Sequence, residues 1–181
     1  MKIAKNSSVL KGLCCAILLF AVVGCTGVPE GVKPVTDFEL NRYLGQWYEI
    51  ARFDHPFEEG LEQVTATYSL REDGGVNVLN KGFDTEQQNW REATGKAYFV
   101  GEPSEGHLKV SFFGPFYASY VILALDKQDY RYSLVTGPDR EYLWILSRTP
   151  VMPQEDINTL LGIAQQHGYD TEQFIWVEQK E

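Results

Sequence analysis

The stretch Leu44-Gly45-Gln46-Trp47-Tyr48-Glu49-Ile50 places a glycine two residues before a tryptophan at the start of a predicted β-strand. Glycine weakens strands, and tryptophan is the bulkiest apolar side chain, so the pair is costly unless the local geometry demands it. The pair raises the question of which local geometry requires a glycine so close to so large a side chain.

The first residues of the chain have the pattern of a secretory signal peptide. Lys2, Lys5 and Lys11 precede eleven consecutive apolar residues, from Leu13 to Val23, which end at Gly24-Cys25. A bilayer-spanning helix needs about 20 residues, so this run is too short to span a membrane. A basic region, a short apolar region and a small residue before a cleavage point predict a signal peptide over residues 1–24.

Val22-Val23-Gly24-Cys25 resembles the lipobox of bacterial lipoproteins, in which the cysteine becomes the first residue and carries lipid. The resemblance implies acyl chains on Cys25, and Thr26 rather than an aspartate after the cysteine favours the outer membrane, with the domain facing the periplasm. The alternative is a plain export signal with an incidental cysteine.

Removal of residues 1–24 changes both the cysteine count and the charge. Cys14 and Cys15 leave with the signal and Cys25 is consumed by lipid, so the remaining domain has no disulfide and no free thiol. Three lysines and no acids are lost, which moves the formal net charge from −9 to −12. Such acidity argues against nucleic acid as a partner. Residues 25–36 are rich in Gly, Pro and Val without periodicity and predict a lipidated tether before a folded domain over residues 37–181.

Beyond Trp47 the sequence shows short alternating runs separated by turn signals, the pattern of antiparallel strands with one buried face. Counting the strand that contains Trp47, eight are predicted; the other seven cover residues 64–70, 76–80, 91–100, 108–113, 117–125, 130–136 and 142–148. Eight evenly spaced strands predict an all-β, antiparallel up-and-down barrel, with a two-sheet sandwich as the alternative. A transmembrane barrel is disfavoured because the strands present no clean apolar outer band.

After the strands the period of the apolar residues changes. Ile157, Leu160, Leu161 and Ala164 recur at helical spacing, so residues 153–167 predict one amphipathic helix packed on the outside of the barrel. The final apolar run, residues 174–177, is predicted to add a short strand.

Four features together resemble the lipocalin family, and its bacterial members above all. They are Gly45-Gln46-Trp47 on the first strand, Thr136-Gly137-Pro138-Asp139-Arg140 before the eighth, Leu146-Ser147-Arg148 at its end, and the helix that follows. The Thr136 element departs from the family pattern because no tyrosine follows Asp139 directly. The resemblance implies a barrel closed at one end by Trp47, with Arg148 lying across it, and a structural role for Gly45, Trp47 and Arg148.

With one end closed, ligand is expected to enter at the other end and to meet the inward face of the strands. The parity of the apolar residues predicts this ligand-binding face to include Ala66, Tyr68, Val78, Asn80, Ala97, Phe99, Val110, Phe112, Val121, Leu123, Tyr142 and Trp144. Small apolar walls suit a long alkyl chain, and Asn80, Tyr68 and Tyr142 offer hydrogen bonds to a head group. We therefore expect a fatty acid or a lysophospholipid, in agreement with what the resemblance implies.

Other functions are less well supported by the sequence. His55, His107 and His167 lie on separate elements without metal-ligand spacing, and Ser111 and Ser119 have no evident histidine–acid partner. Glu58, Glu59 and Glu62 are interpreted as a solvated face. No catalytic residue, cofactor or metal is predicted. A lipid-modifying enzyme and a structural module with a filled barrel remain alternatives, and a homodimer is neither supported nor excluded.

Overall fold

The structure is a computed structural model and describes residues 26–180. The predicted signal peptide and Cys25 lie outside the described residues.

Eight antiparallel strands form a closed barrel, which confirms the fold predicted from the sequence. The strand order is β2-β3-β4-β5-β6-β7-β8-β1, and pairing of β1 with β2 closes it. The strands are β1 Gly45–Arg52, β2 Leu61–Leu70, β3 Val76–Asp84, β4 Asn89–Phe99, β5 His107–Ser111, β6 Ala118–Leu125, β7 Tyr132–Thr136 and β8 Leu143–Ser147. The predicted final run forms β9, Ile175–Trp176, which pairs with β1 at Ala51 and Arg52.

The up-and-down order places alternate connections at opposite ends of the barrel. The β1–β2, β3–β4, β5–β6 and β7–β8 connections share one end, called here the open end. The opposite, closed end carries the β2–β3, β4–β5 and β6–β7 connections and the short helix α1, Leu40–Tyr43, which leads directly into β1. A ligand site inside the barrel is therefore reached past the four connections of the open end.

The C-terminal helix lies outside the barrel, as predicted. Helix α2 spans Gln154–Gln166, within one residue of the predicted bounds at each end. It buries Ile157, Leu160 and Ala164 in an apolar cluster with outward side chains of the barrel. Burial of one such large aliphatic side chain stabilises by about 1.5–3 kcal/mol, so the stripe fixes the helix on this wall. A 3-10 helix, Thr171–Gln173, connects α2 towards β9.

The segment predicted to be a free tether is instead packed along the barrel. Residues 28–35, called here the N-terminal strap, place a buried Val32 in the same outer cluster as α2. The Val35 amide donates to the Ile122 carbonyl, and the Val35 carbonyl accepts from Gly106. The tether expectation is therefore wrong for this segment, because its valines bury apolar surface that a polar linker lacks.

The prediction that Val121 and Leu123 point into the barrel is also wrong. Both belong to the outer cluster beneath α2 and the strap, and Ile122 between them faces inward. All three are buried, so the strand is apolar on both faces and alternation alone does not identify the inner one. A register shift between Ile122 and Ala124 further breaks the alternation at the end of β6.

Candidate functional site: the barrel interior and its mouth

Trp47 and Arg148 close one end of the barrel. The indole is fully buried, and its Nε1 donates to the Tyr43 carbonyl at 2.8 Å. The guanidinium carbon of Arg148 lies 3.9 Å from the Trp47 ring centroid, a separation at which the cation is attracted to the ring face. Arg148 also donates to the carbonyls of Gln46 and Arg42 at 2.9 and 2.7 Å, which joins β1, α1 and the end of β8.

The backbone at Gly45 explains the glycine in the opening stretch. Its φ of +93° lies in the region that side chains disfavour, and a Cβ there would meet Arg148 Nη1 at 3.5 Å. The positive φ, more than the space, therefore requires glycine where the chain enters β1.

A layer of three tyrosines lies next to this plug. The hydroxyl of Tyr120 is 2.8 Å from that of Tyr43 and 2.9 Å from that of Tyr68, and Tyr43 also reaches Ser133 Oγ at 3.0 Å. Burial raises the pKa of Tyr43 to about 12 and that of Tyr68 and Tyr120 well above the ordinary value, so the layer is neutral. The Tyr68 hydroxyl, predicted to face a head group, is thus engaged within the protein floor.

The strand register places the predicted wall residues of β2 to β5 on the same face as Trp47. Trp47 pairs with Ala66 and Ala66 with Asn80, while Tyr68 pairs with Val78. Ala97 pairs with Val110, and Phe99 pairs with Leu108. Val78 and Ala97 are buried, whereas the partly exposed members of the set are Ala66, Asn80, Phe99, Val110 and Phe112. Phe112 lies over Gly95, where an added Cβ would approach the ring to 2.9 Å.

Charged side chains that the sequence reasoning missed lie together near the mouth. Glu49 and Arg52 form an ion pair of 2.9 Å with both side chains buried. Arg52 also donates to the carbonyls of Glu58 and Leu61 at 2.8 and 3.2 Å. Glu58 Oε2 accepts from Trp144 Nε1 at 3.2 Å and lies 3.3 Å from His55 Nδ1. Glu49, Arg52, His55 and Glu58 are called here the mouth cluster.

The electrostatics of the mouth cluster follow from its burial. Burial raises the pKa of Glu49 well above its usual value, the Glu58 charge raises it further, and Arg52 opposes both. Burial likewise raises the pKa of Glu58, while the Trp144 hydrogen bond lowers it. Burial and the Arg52 charge lower the pKa of His55 to about 4, so the imidazole is neutral at pH 7. The buried carboxyl groups of Glu49 and Glu58 have one buried cation, Arg52, between them, and this arrangement favours protonation of one of the two carboxyls.

Aromatic rings surround the mouth cluster and include two predicted site residues. The His55 ring lies 4.2 Å from Phe57, 5.0 Å from Trp144 and 5.7 Å from Tyr142, measured between centroids. Tyr142 and Trp144 are therefore brought together, at the start of β8. The unpartnered polar atoms near this part of the barrel include His55 Nε2, Arg52 Nε and Asn80 Oδ1, and His55 Nδ1 has only the 3.3 Å contact with Glu58.

Part of this cluster was recognisable in the sequence. Glu49 follows Trp47 by two positions, so regular alternation already points it inward. Arg52 gave no such signal, since its inward placement depends on a register shift between Glu49 and Ala51. Glu58 lies in a connection where no periodicity applies, and the interpretation of Glu58 as solvated is wrong.

Features of a catalytic or metal site are weak in the described part of the chain. Between Thr26 and Lys180 no group of three or more metal-ligating side chains is present. Ser119 Oγ lies 3.4 Å from His107 Nε2, but it donates to the Gly27 carbonyl at 2.6 Å on the outside of the barrel. Within the same residues no helix is both long and apolar enough to cross a membrane.

A closed eight-stranded barrel, plugged at one end and bearing one outer helix, defines the lipocalin class of binding protein. Residues 38–179 match the family model described as a lipocalin-like domain, and the chain belongs to that family. It is 54% identical over 166 residues to Outer membrane lipoprotein Blc of Vibrio cholerae, covering 92% of this chain and 95% of that one. It is 56% identical over 166 residues to Outer membrane lipoprotein Blc of Escherichia coli K12, covering 91% and 93%. Insecticyanin of Manduca sexta shares the fold, with a TM-score of 0.67 at 23% identity over 86% of this chain and 88% of that one.

Proposed function

We propose that this protein is an outer-membrane lipoprotein, facing the periplasm, that binds a fatty acid or a lysophospholipid inside its barrel and stores or carries it for membrane maintenance. The names of the Vibrio and Escherichia relatives support the location and the lipoprotein character. The binding of hydrophobic ligands is what the lipocalin fold supports.

One observation carries the binding proposal. The inward face changes from a sealed aromatic floor at Tyr68 to partly exposed walls at Ala66, Val110 and Phe112. Apolar walls above a sealed floor suit an alkyl chain, whose burial contributes about 0.8 kcal/mol per methylene. Chain length therefore dominates affinity.

The mouth cluster is suited to hold the polar head of such a ligand. Arg52 Nε and His55 Nε2 lack partners although they are buried, which is costly unless a ligand or water satisfies them. When the alkyl chain of a single-chain lipid extends down to the tyrosine layer, its head group lies among the polar atoms of the mouth cluster. We propose Tyr142 and Trp144 as the aromatic side of that site, with Trp144 fixed by Glu58.

A matched pair of substitutions on β3 tests binding. Asn80 faces the interior and Leu79, its neighbour, faces outward. Titration of the protein with a fluorescent fatty acid is expected to saturate at one site. Asn80→Phe is expected to weaken binding at least tenfold by occupying the chain space, whereas Leu79→Phe leaves it unchanged. Absence of saturable binding to any long-chain lipid, or equal effects of both substitutions, contradicts the proposal.

The anchor requires its own experiment. We propose acyl chains on Cys25, and Cys25→Ser is expected to move the protein from the membrane fraction to the soluble periplasmic fraction. A Cys25→Ser variant that stays in the membrane fraction contradicts the proposed acyl anchor.

Binding is favoured over catalysis because, after Cys25, the chain contains no cysteine nucleophile and the Ser119 hydroxyl proton is held by a backbone carbonyl. We retain the homodimer, which the sequence neither supports nor excludes, as an open alternative.

A further inference from the structure

We propose that the aromatic side chains exposed at the open end form a docking surface for a neutral or zwitterionic lipid bilayer, so that the barrel mouth faces the membrane that holds the anchor. This inference rests on the proposed anchor at Cys25. It adds a second contact between domain and membrane and fixes the orientation of the mouth.

The exposed phenylalanines are concentrated at one end of the barrel. Phe113 and Phe116, in the β5–β6 connection, are 82% and 65% exposed, and Phe57, in the β1–β2 connection, is 53% exposed. These are all the exposed phenylalanines among residues 26–180. Trp90, near the turn between β3 and β4, is 49% exposed. Two of the four open-end connections, together with the first turn-side residues of β4, thus present aromatic rings to solvent at the same end of the barrel, and exposed large apolar side chains of this kind mark interaction sites.

The β5–β6 connection holds its two rings apart from the barrel core. The Phe116 amide donates to the Phe113 carbonyl at 3.1 Å, which closes a tight turn with both rings outside it. Phe112, directly before the turn, instead packs against the apolar cluster of the barrel interior. The exposed pair is therefore separate from the ligand-binding face.

Residues of interfacial character lie beside this turn on the outer surface. Tyr117 lies 6.4 Å from Tyr98 between ring centroids, and Lys109 Nζ lies 5.2 Å from the Tyr117 centroid. Tyrosine and lysine are side chains that membrane–water interfaces favour, since each combines an apolar body with a polar end. Tyr117 and Lys109 beside the exposed Phe113 and Phe116 match the change from polar headgroups to apolar acyl chains at a bilayer surface.

The start of the described chain lies close to the same turn, which selects a membrane as the occupant. The Gly27 carbonyl accepts from Ser119 Oγ at 2.6 Å, and Ser119 follows Phe116 by three residues. At ~3.3 Å per residue, three residues span no more than about 10 Å. Gly27 is therefore held beside the turn that carries Phe116, and the proposed acyl chains belong to a residue only two positions earlier in the sequence.

The charge of the other connections specifies the type of surface. Asp54, Glu59 and Glu86 are exposed in open-end connections. These carboxylates repel an anionic surface, so the docking surface fits phosphatidylethanolamine or phosphatidylcholine better than phosphatidylglycerol.

Nitroxide quenching in vesicles tests the orientation. The processed full-length lipoprotein has no free thiol, so Phe116→Cys gives a single labelling site at the open end, and Leu70→Cys gives a matched exposed site, 53% exposed, at the closed end. Each is labelled with an environment-sensitive fluorophore and placed in phosphatidylethanolamine vesicles that contain nitroxide lipid. We expect strong quenching at position 116 and little at position 70, with less quenching at 116 when phosphatidylglycerol is added.

The outcomes separate this inference from the proposed anchor. Vesicle flotation is measured first. A protein that does not float with vesicles contradicts both the proposed acyl anchor and the membrane docking of the open end. A floating protein with no quenching at 116, or with equal quenching at both positions, overturns the inference alone. Protection of the 116 label without vesicles, increasing with protein concentration, identifies a second copy of the chain as the occupant and also overturns it.

The rate of lipid transfer from vesicles is a second test. The double variant Phe113→Ser/Phe116→Ser is expected to float with vesicles and to bind fatty acid in solution as the wild type does. Its uptake of fluorescent fatty acid from vesicles is expected to be about tenfold slower, because the membrane burial of one large apolar side chain corresponds to about that factor or more. Leu70→Ser is the control. An unchanged transfer rate in the double variant overturns the inference.

Discussion

The carboxylate of Glu49 and the guanidinium of Arg52 form a buried 2.9 Å ion pair although the two residues are three positions apart on one strand. In a regular strand, residues i and i+3 point to opposite faces. The register shift between Glu49 and Ala51 restores them to the same face, so one irregularity of β1 assembles the charged mouth.

Removal of Arg52 is expected to destabilise the protein strongly at neutral pH. Arg52→Met leaves Glu49 and Glu58 buried without a cation, and breaking a buried pair from one side costs about 3–5 kcal/mol. The double variant Glu49→Gln/Arg52→Met is the control and is expected to recover much of this loss. Urea unfolding at pH 7 measures both. A double variant no more stable than the single one contradicts the pairing.

Glu58→Gln is expected to gain stability relative to the wild type as pH rises. Burial raises the pKa of Glu58 above its ordinary value of 4.5, so the folded chain holds more protons than the unfolded one. The unfolding free energy of the wild type then falls as pH rises from the unfolded pKa to the folded pKa, by about 1.4 kcal/mol for each pH unit that separates the two values. Glutamine keeps an acceptor for Trp144 and removes the titration.

The comparison for Glu58 is made above pH 6.5 as well as below it, because His55 acts in the opposite direction. Its pKa falls from 6.5 to about 4 on folding, so its contribution to stability is lost as pH drops through that range. The exposed Glu59→Gln is the matched control. A difference between Glu58→Gln and wild type that stays constant from pH 5 to 8 contradicts the prediction.

Arg148→Lys is expected to destabilise the fold by about 1–3 kcal/mol although charge is conserved. Lysine cannot reproduce the planar contact with Trp47 together with hydrogen bonds to Gln46 and Arg42. Arg71→Lys, in an exposed hairpin ion pair, is the control and is expected to cost less than about 1 kcal/mol. Chemical denaturation measures both, and equal costs would show that the stacked geometry adds nothing.

Gly45→Ala and Gly162→Ala are expected to change stability in opposite directions. Alanine at the φ of +93° of Gly45 costs about 1–2 kcal/mol. Gly162 lies inside α2 with nothing within 4 Å of an added Cβ, so alanine there is expected to stabilise by about 0.5–1 kcal/mol. Thermal unfolding compares the two, and a neutral Gly45→Ala would contradict the requirement for glycine.

Much of the architecture was predictable because it depends on local patterns. Turn residues and alternation predicted eight strands, and helical spacing placed α2 within one residue of its bounds. The packed strap was not predictable in this way, since its contacts with Ile122 and Gly106 are distant in sequence. On β6, both faces of the strand are buried, so hydrophobicity held no information about which face is inner.

The sequence by itself determined the barrel, its outer helix, the glycine before Trp47 and the inward wall from Ala66 to Phe112, since each follows from spacing along one strand or helix. Only the tertiary structure decided the mouth: the shift in β1 turned Arg52 inward, and the β1–β2 connection carried Glu58 to Trp144. The physical reason is that bulges and connections obey no period, and their side chains are placed by contacts between distant strands.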